Sequence, residues 1–251
     1  MKRIWLTGAS SGIGAALAEV LLEQGHQLAL TARNTAPLKQ LAMRFPDQVL
    51  LVPGDLLDSL QVKQIGVRIA QHWGALDQVI ANAGTCEYLE PEHFDAALVS
   101  RVVQANLFTA SLTIETALPL LQRGHAPHLV AIGSSVTFLP LPRAGAYGAS
   151  KAGLRYLIDS LRIDLDRQGI AVTLVSPGFV DTPLTQRNDF PMPLRWSAEK
   201  AARHIAQKLE RRPYEVAFPA LFIACLKLLG HLPKRWQLAV GKRLARPGQE
   251  S

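Results

Sequence analysis

Thr7-Gly8-Ala9-Ser10-Ser11-Gly12-Ile13-Gly14 decides how the rest of the chain is read. Ahead of it, Ile4-Trp5-Leu6 is short and apolar and reads as a buried strand. Behind it, Ala15, Leu17, Ala18, Val20, Leu21 and Leu22 read as a helix. A strand, a glycine-rich turn and a helix N-terminus make an anion site. Bare backbone N–H groups and the positive end of the helix dipole point at the ligand. The glycines serve three needs: a sharp turn, close approach of backbone to a pyrophosphate, and close packing of helix on strand. The ordinary dinucleotide spacing is Gly-x-Gly-x-x-Gly, whereas this chain has Gly-x-x-x-Gly-x-Gly. Alone, the loop also fits a plain strand-to-helix turn.

Working outward, strand-like runs lie at 3–7, 27–32, 49–53, 76–82, 128–134, 170–176 and 214–218. Helix-like runs lie near 13–25, 35–44, 58–73, 92–122, 147–168 and 197–210. Apolar strands alternating with amphipathic helices predict an α/β fold, a single doubly wound parallel sheet of about seven strands with helices on both faces. The 251 residues suit one large domain, and 48% hydrophobic residues supply its core. Residues 1–215 read as this domain and 216–251 as a C-terminal apolar and basic extension.

Composition narrows the function. Cys86 and Cys225 form neither a disulfide framework nor a metal cluster, so no metal is expected and a reducing cytoplasm fits. The glycines at 8, 12 and 14 break the N-terminal apolar run, which reads as a strand and not a signal peptide. No apolar stretch reads as reaching the ~20 residues of a spanning helix. The net charge of +7 is uneven: residues 216–251 hold six cations and one acid, and residues 1–215 hold 21 cations and 19 acids. A nucleic-acid surface would spread basic residues over the body, so no nucleic-acid partner is expected.

Ligands of such sheets sit beyond the carboxyl ends of the strands. After the second strand stand Arg33 and Asn34, where an acid would bind the ribose 2′-hydroxyl of NAD. A guanidinium in that place suits the 2′-phosphate of NADP; the plain alternative is a solvated surface Arg. After the third strand, Asp55-Leu56 offers a carboxylate that accepts from an adenine amino group or caps the next helix. Asn82-Ala83-Gly84 ends the fourth strand with small residues that let backbone approach a ribose. Ser134 and Ser135 end the fifth. Tyr147 and Lys151 follow at i and i+4 on a helix face, where an ammonium can stabilise a phenolate. A helix face with a snorkelling Lys is the plain alternative.

This ordered set resembles the short-chain dehydrogenase/reductase family in its single-domain branch of about 250 residues. The resemblance runs through Thr7–Gly14, Asn82-Ala83-Gly84, Asn106, Ser134, Tyr147-x-x-x-Lys151 and Ser176-Pro177-Gly178, from residue 3 to about 212. It implies Tyr147 as general acid and Lys151 as the group that lowers its pKa and bonds the nicotinamide ribose. Ser134 would polarise the substrate carbonyl, and Asn106 would hold a water in a proton relay to the Lys. It also implies a cofactor on Gly8, Ser10, Ser11, Gly12, Ile13 and Gly14, on Arg33, Asn34, Asp55 and Leu56, and on Asn82, Ala83 and Gly84. Pro177, Gly178, Val180 and Thr182 would border the nicotinamide, and Ser10 with Arg33 and Asn34 would hold a 2′-phosphate. The serine thirteen residues before the tyrosine selects Ser134 over Ser135. Two departures stand out: Ala81 where the family often has Asn, and Thr137 where it often has Gly.

The expected function is NADP(H)-dependent hydride transfer between nicotinamide and a carbonyl or secondary alcohol, with NAD(H) the lesser cofactor. Phe138, Leu139 and Leu141, with Leu184, Phe190, Met192, Leu194 and Trp196 of the 183–196 segment, read as an apolar substrate pocket or as side chains packed on the body. A homodimer or homotetramer is implied by the resemblance, through helices near 92–122 and 147–168. Segment 217–246 combines an apolar helix, basic flanks and Trp236. It suits packing on the body or a subunit, or peripheral contact with a membrane. The competing reading is a nucleotide-sensing or membrane-associated scaffold that keeps the fold without turnover.

Overall fold

The computed structural model describes residues 1–188 and 190–244. Asp189, and Arg246 and Glu250 of the basic tail, lie outside the described residues, as does the side chain of Arg187. The elements run β1 (Arg3–Thr7), α1 (Gly12–Glu23), β2 (Gln27–Thr31), α2 (Ala36–Arg44), β3 (Val49–Leu51), α3 (Ser59–Trp73) and β4 (Gln78–Ala81). Then come α4 (Ala96–Val103), α5 (Thr109–Leu121), β5 (His128–Ile132), α6 (Gly145–Asp166) and β6 (Ala171–Pro177). Short strands β7 (Val180–Asp181) and β8 (Trp196–Ser197) pair with each other, and α7 (Ala198–Leu209), β9 (Glu215–Phe218), α8 (Ala220–His231) and α9 (Lys234–Leu244) close the chain. The main sheet has the order β3-β2-β1-β4-β5-β6-β9, and every pairing in it is parallel. The winding direction reverses between β1 and β4, which opens a crevice at their carboxyl ends.

Strand alternation builds two cores. Ile4, Leu6, Leu28 and Leu30 face α1, α2 and α7, while Trp5 and Ala29 face α3, α5 and α6. Because both faces are covered, β4 and β5 are buried along their whole length. The sheet's other end is polar. His128, almost fully buried, bridges Gln78 on β4 (3.0 Å) and Thr173 on β6 (2.8 Å), and burial pushes its imidazole down to about 3.

Three expectations need correction. The helix expected over 92–122 begins at Ala96, where the Asp95 carboxylate accepts from the Ala97 N–H (2.8 Å), and it is interrupted by a π-turn at Gln104–Phe108. That same helix, Ala96–Leu121, spans 26 residues at a mean hydropathy of 1.2, so by length and composition alone it could cross a membrane. The expectation of no such stretch was therefore too strict. Its Ala110, Ile114, Ala117 and Leu121 pack into the α3–α5–α6 core, which explains the composition. Finally, Val216 and Phe218, expected in the C-terminal extension, belong to β9 and to the buried core.

Asp77 ties β4 to β1 at the polar end. Its carboxylate accepts from the Arg3 N–H (2.8 Å), Nε (3.1 Å) and guanidinium (2.8 Å) and from the His125 N–H (2.8 Å). Burial opposes ionisation, but these donors win and hold the carboxyl at about 2 against an ordinary 3.8. A depressed carboxyl stabilises the fold above the unfolded value and loses that contribution as pH falls through the folded one. Urea unfolding should show about 2 kcal/mol of stability disappearing between about pH 4 and pH 2. Asp77→Ala should cost about 3 kcal/mol at neutral pH and flatten that segment of the profile. An unchanged profile in the variant would contradict the assignment.

Candidate active site

The carboxyl ends of β1, β2, β4, β5 and β6 surround a cleft of about 360 Å³. Its floor is the turn from β1 to α1. Gly8 adopts φ +67°, and a Cβ there would sit 2.8 Å from the Ala83 Cα; at Gly14 a Cβ would sit 2.1 Å from the Gly8 carbonyl oxygen. The Asn82 amide donates to the carbonyls of Thr7 (3.0 Å) and Gly8 (3.2 Å). The Thr7 hydroxyl accepts from the N–H groups of Asn82 (3.0 Å) and Ala83 (3.2 Å). The Asn-Ala-Gly turn thus fastens the glycine loop to β4. Ser11 supplies no side-chain cap to α1, whose first turn also lacks an acid. The positive helix end is therefore left to face the cleft.

Ser10, Ser11, Gly12, Ile13, Leu56, Ala83, Gly84, Pro177, Gly178, Val180 and Thr182 all line the cleft, with Arg33 at its edge. Arg33 is exposed and makes no ion pair among the described residues. Asp55 lines the cleft too, its carboxylate accepting from the Leu57 N–H (3.0 Å). The helix cap is instead Asp58, bonded by the N–H groups of Leu60 and Gln61. Asn34 does not line the cleft: its carbonyl accepts from the Ala36 N–H (3.1 Å) at the start of α2.

Ser134, Tyr147 and Lys151 converge on the same cleft. Ser134 faces Tyr147 closely enough to lower its pKa, and its Oγ accepts from the Val136 N–H (3.2 Å). Ser135 is buried in the turn behind and is not part of the lining. The Lys151 ammonium donates to the Ile132 carbonyl (2.8 Å) and lies 5.9 Å from the Tyr147 ring centre. Burial pushes the phenol up to about 12, partly offset by Ser134, and pushes the ammonium down to about 8. Burial, with Ser134 acting against it, sets the direction of the phenol shift, and Lys151 is not among the groups that move it.

Asn106 is fully buried inside the π-turn and does not line the cleft. Its carbonyl accepts from the Thr85 N–H (2.7 Å), and its amide donates to the Thr85 carbonyl (2.9 Å) and the Ser150 hydroxyl (2.8 Å). Ser150 in turn donates to the Tyr147 carbonyl (2.7 Å). Asn106 therefore braces the turn that carries Tyr147 against the loop after β4. Sequence reasoning missed Thr85, Ser150 and Thr185. Thr85 follows the Asn-Ala-Gly turn directly, and Ser150 stands one helical turn from Tyr147. Thr185 bonds the Val180 carbonyl (2.6 Å) and the Thr182 N–H (3.0 Å), folding 182–185 over Gly12.

The expected apolar pocket divides in two. Leu184 lines the cleft. Phe190 meets Tyr88 (5.6 Å) and Phe179 (6.0 Å), and Phe179 meets Phe222 of α8 (5.4 Å). Tyr88 also bonds Asn188 (2.7 Å), whose amide reaches the Met192 sulfur (3.4 Å). Trp196 packs on the body, stacked 4.9 Å from Phe218, and Phe138 lies under the cations of Arg155 and Lys227 at 4.8 Å each. Leu139 is buried, and Leu194 is exposed at a φ of 55°.

Residues 2–191 match the family model of the short chain dehydrogenases. The chain belongs to the short-chain dehydrogenase/reductase family. An uncharacterized oxidoreductase of Mycobacterium tuberculosis is 32% identical over 87% of this chain and 88% of its own length. One of Myxococcus xanthus is 32% identical over 96% of this chain and 90% of its own. Among solved structures, a short-chain dehydrogenase from Streptomyces avermitilis superposes with a TM-score of 0.80 at 23% identity, over 97% of this chain and 98% of that one. An alcohol dehydrogenase from Thermococcus sibiricus, complexed with 5-hydroxy-NADP, gives 0.77 at 25% identity, over 87% of this chain and 96% of that one. The protein is thus an oxidoreductase-family chain with a Rossmann-type sheet.

The glycine floor can be tested without any ligand. Gly14→Ala drives a methyl into the Gly8 carbonyl, an overpacking expected to cost about 1–3 kcal/mol. The thermal midpoint should fall by several degrees. An unchanged midpoint would mean that α1 and β1 do not approach as closely as described.

Proposed function

We propose that the protein is an NADPH-preferring carbonyl reductase or alcohol dehydrogenase acting on an apolar substrate. The observation that carries this reading is the convergence of Ser134, Tyr147 and Lys151 on a cleft floored by a glycine cradle. A nicotinamide dinucleotide fits these residues, since the backbone at Gly8 and Gly14 leaves no room for a Cβ and the α1 end presents unpaired positive charge. When bound, it supplies or accepts hydride at the nicotinamide C4. Gly8 to Gly14 would hold the pyrophosphate, Asp55 and Leu56 the adenine, and Asn82 to Gly84 the adenosine ribose. Pro177, Gly178, Val180 and Thr182 would border the nicotinamide. Arg33 and Ser10 would hold a 2′-phosphate, and no acid stands beside Arg33 to favour a free 2′-hydroxyl.

In reduction, Ser134 donates to the substrate carbonyl oxygen and Tyr147 transfers its proton there. A phenol near 12 stays protonated at every working pH, so the donor is always loaded. The phenolate left behind needs a cation, and Lys151 supplies one below about 8. The nucleotide-sensing scaffold is the weaker reading because these proton-handling side chains share one cleft. Exposed Phe108, Tyr156 and Ile163 on the π-turn and α6 support self-association through those helices. The free thiols Cys86 and Cys225 fit a reducing, cytoplasmic setting.

Three outcomes test the proposal. In a fluorescence titration, Arg33→Ala should weaken NADPH binding by about 10- to 100-fold and leave NADH within a few-fold. Equal losses for both would remove the 2′-phosphate assignment. Tyr147→Phe should keep NADPH binding and lose at least about 100-fold in turnover, and near-wild-type activity would contradict the proton-donor role. The reduction rate should fall as pH rises through about 8, where Lys151 loses its charge. A profile flat to pH 10 would show that the ammonium is not needed.

A further inference from the structure

Helices α8 and α9 are fixed to the body on one side. Ile223 and Leu226 of α8 are buried, Lys227 pairs with Glu215 (3.4 Å), and a Cβ at Gly230 would lie 2.2 Å from the Phe138 carbonyl oxygen. Helix α9 is held to the end of α8 by buried Gln237, whose amide donates to the carbonyls of Gly230 (2.7 Å) and Leu232 (2.8 Å).

The other side has no partner among the described residues. Leu221, Ala224, Cys225 and Leu228 are all exposed and fall at i, i+3, i+4 and i+7, a continuous apolar stripe. Leu221 is 67% exposed and Leu228 70%; Trp236 and Leu238 of α9 are 55% and 60% exposed. Lys234, Arg235, Lys242 and Arg243, on α9 with Trp236 and Leu238, are exposed and form no ion pair among the described residues. Between Glu215 and Glu250 the sequence holds no acid at all.

We propose that this face docks the protein on an anionic lipid surface. An apolar stripe of this extent marks a contact site, and cations with Trp around it suit an interface between headgroups and acyl chains. A second copy of the chain is the poorer occupant. A two-fold contact sets the same patch against itself, so the cations of one copy would meet those of the other without an acid to pair them. The 12 residues of α8 fall well short of the ~20 needed to span, so the helix lies on the surface and does not cross. Phe222 of the same helix presses on Gly178 at the lining of the cleft, which places the docked face beside the site. The proposal holds whatever the cleft turns over, and its test reads binding alone.

The test is co-sedimentation of the full chain with phosphatidylcholine vesicles and with vesicles of phosphatidylcholine and phosphatidylglycerol. Wild type should pellet with the anionic vesicles, be released by high salt, and show a blue shift in fluorescence that Trp236→Phe removes. R235E/K242E should weaken binding by at least about tenfold, and L221E/L228E should abolish it, both at wild-type thermal midpoints. Three results would overturn the proposal. One is absence of wild type from both pellets. Another is equal binding to both vesicles untouched by R235E/K242E. The last is a wild-type oligomer that L221E/L228E dissociates, which would make the face a contact between copies.

Discussion

The approach of the β1–α1 turn to the end of β4 is the constraint on which the rest of the site depends. A methyl at Gly14 would lie 2.1 Å from the Gly8 carbonyl, so only glycine lets α1 start so close to the strand. The Asn82 amide and the Thr7 hydroxyl then fasten this turn to β4. Because the sheet's winding reverses between these two strands, the fastened turn also sets the floor of the crevice. The loops after β5 and β6 close around that floor.

A second fastening governs the chemistry. Asn106, Thr85 and Ser150 form a buried set of bonds that reaches the Tyr147 carbonyl. The π-turn turns a polar side chain of a long core helix toward that set, where a regular helix would carry a different register. Burial by the same walls draws the two titrating groups away from their ordinary values, with the phenol going up and the ammonium down. Both shifts favour uncharged forms, which is the cost of burying these groups and the reason a nearby charge matters there.

Much of this was legible in the sequence. The seven sheet strands follow from apolar runs bounded by turns, and their parallel arrangement follows from the helices between them. The cleft residues follow from looking beyond strand ends, and Ser134 over Ser135 from the spacing to Tyr147 that the family resemblance implies. The π-turn was not legible, because an extra residue in one helical turn leaves the apolar period on either side intact. Asn106 therefore read as a solvated mid-helix residue apart from the family resemblance. Asn34 reads as a cleft residue from its neighbour Arg33, yet a short amide two residues before a helix is more readily taken up by that helix's N–H groups. Trp196, apolar and within 183–196, read equally as a pocket wall or as packed on the body, and only the fold, by bringing Phe218 beneath it, decides between the two.

The measurement that tests the account most directly is isotope transfer from NADPH carrying deuterium at the nicotinamide C4, with apolar aldehydes and ketones as acceptors and mass spectrometry of the products. The account predicts one deuterium on the carbinol carbon of the alcohol formed. NADPH bound in the cleft with no deuterium transferred to any carbonyl acceptor would contradict it.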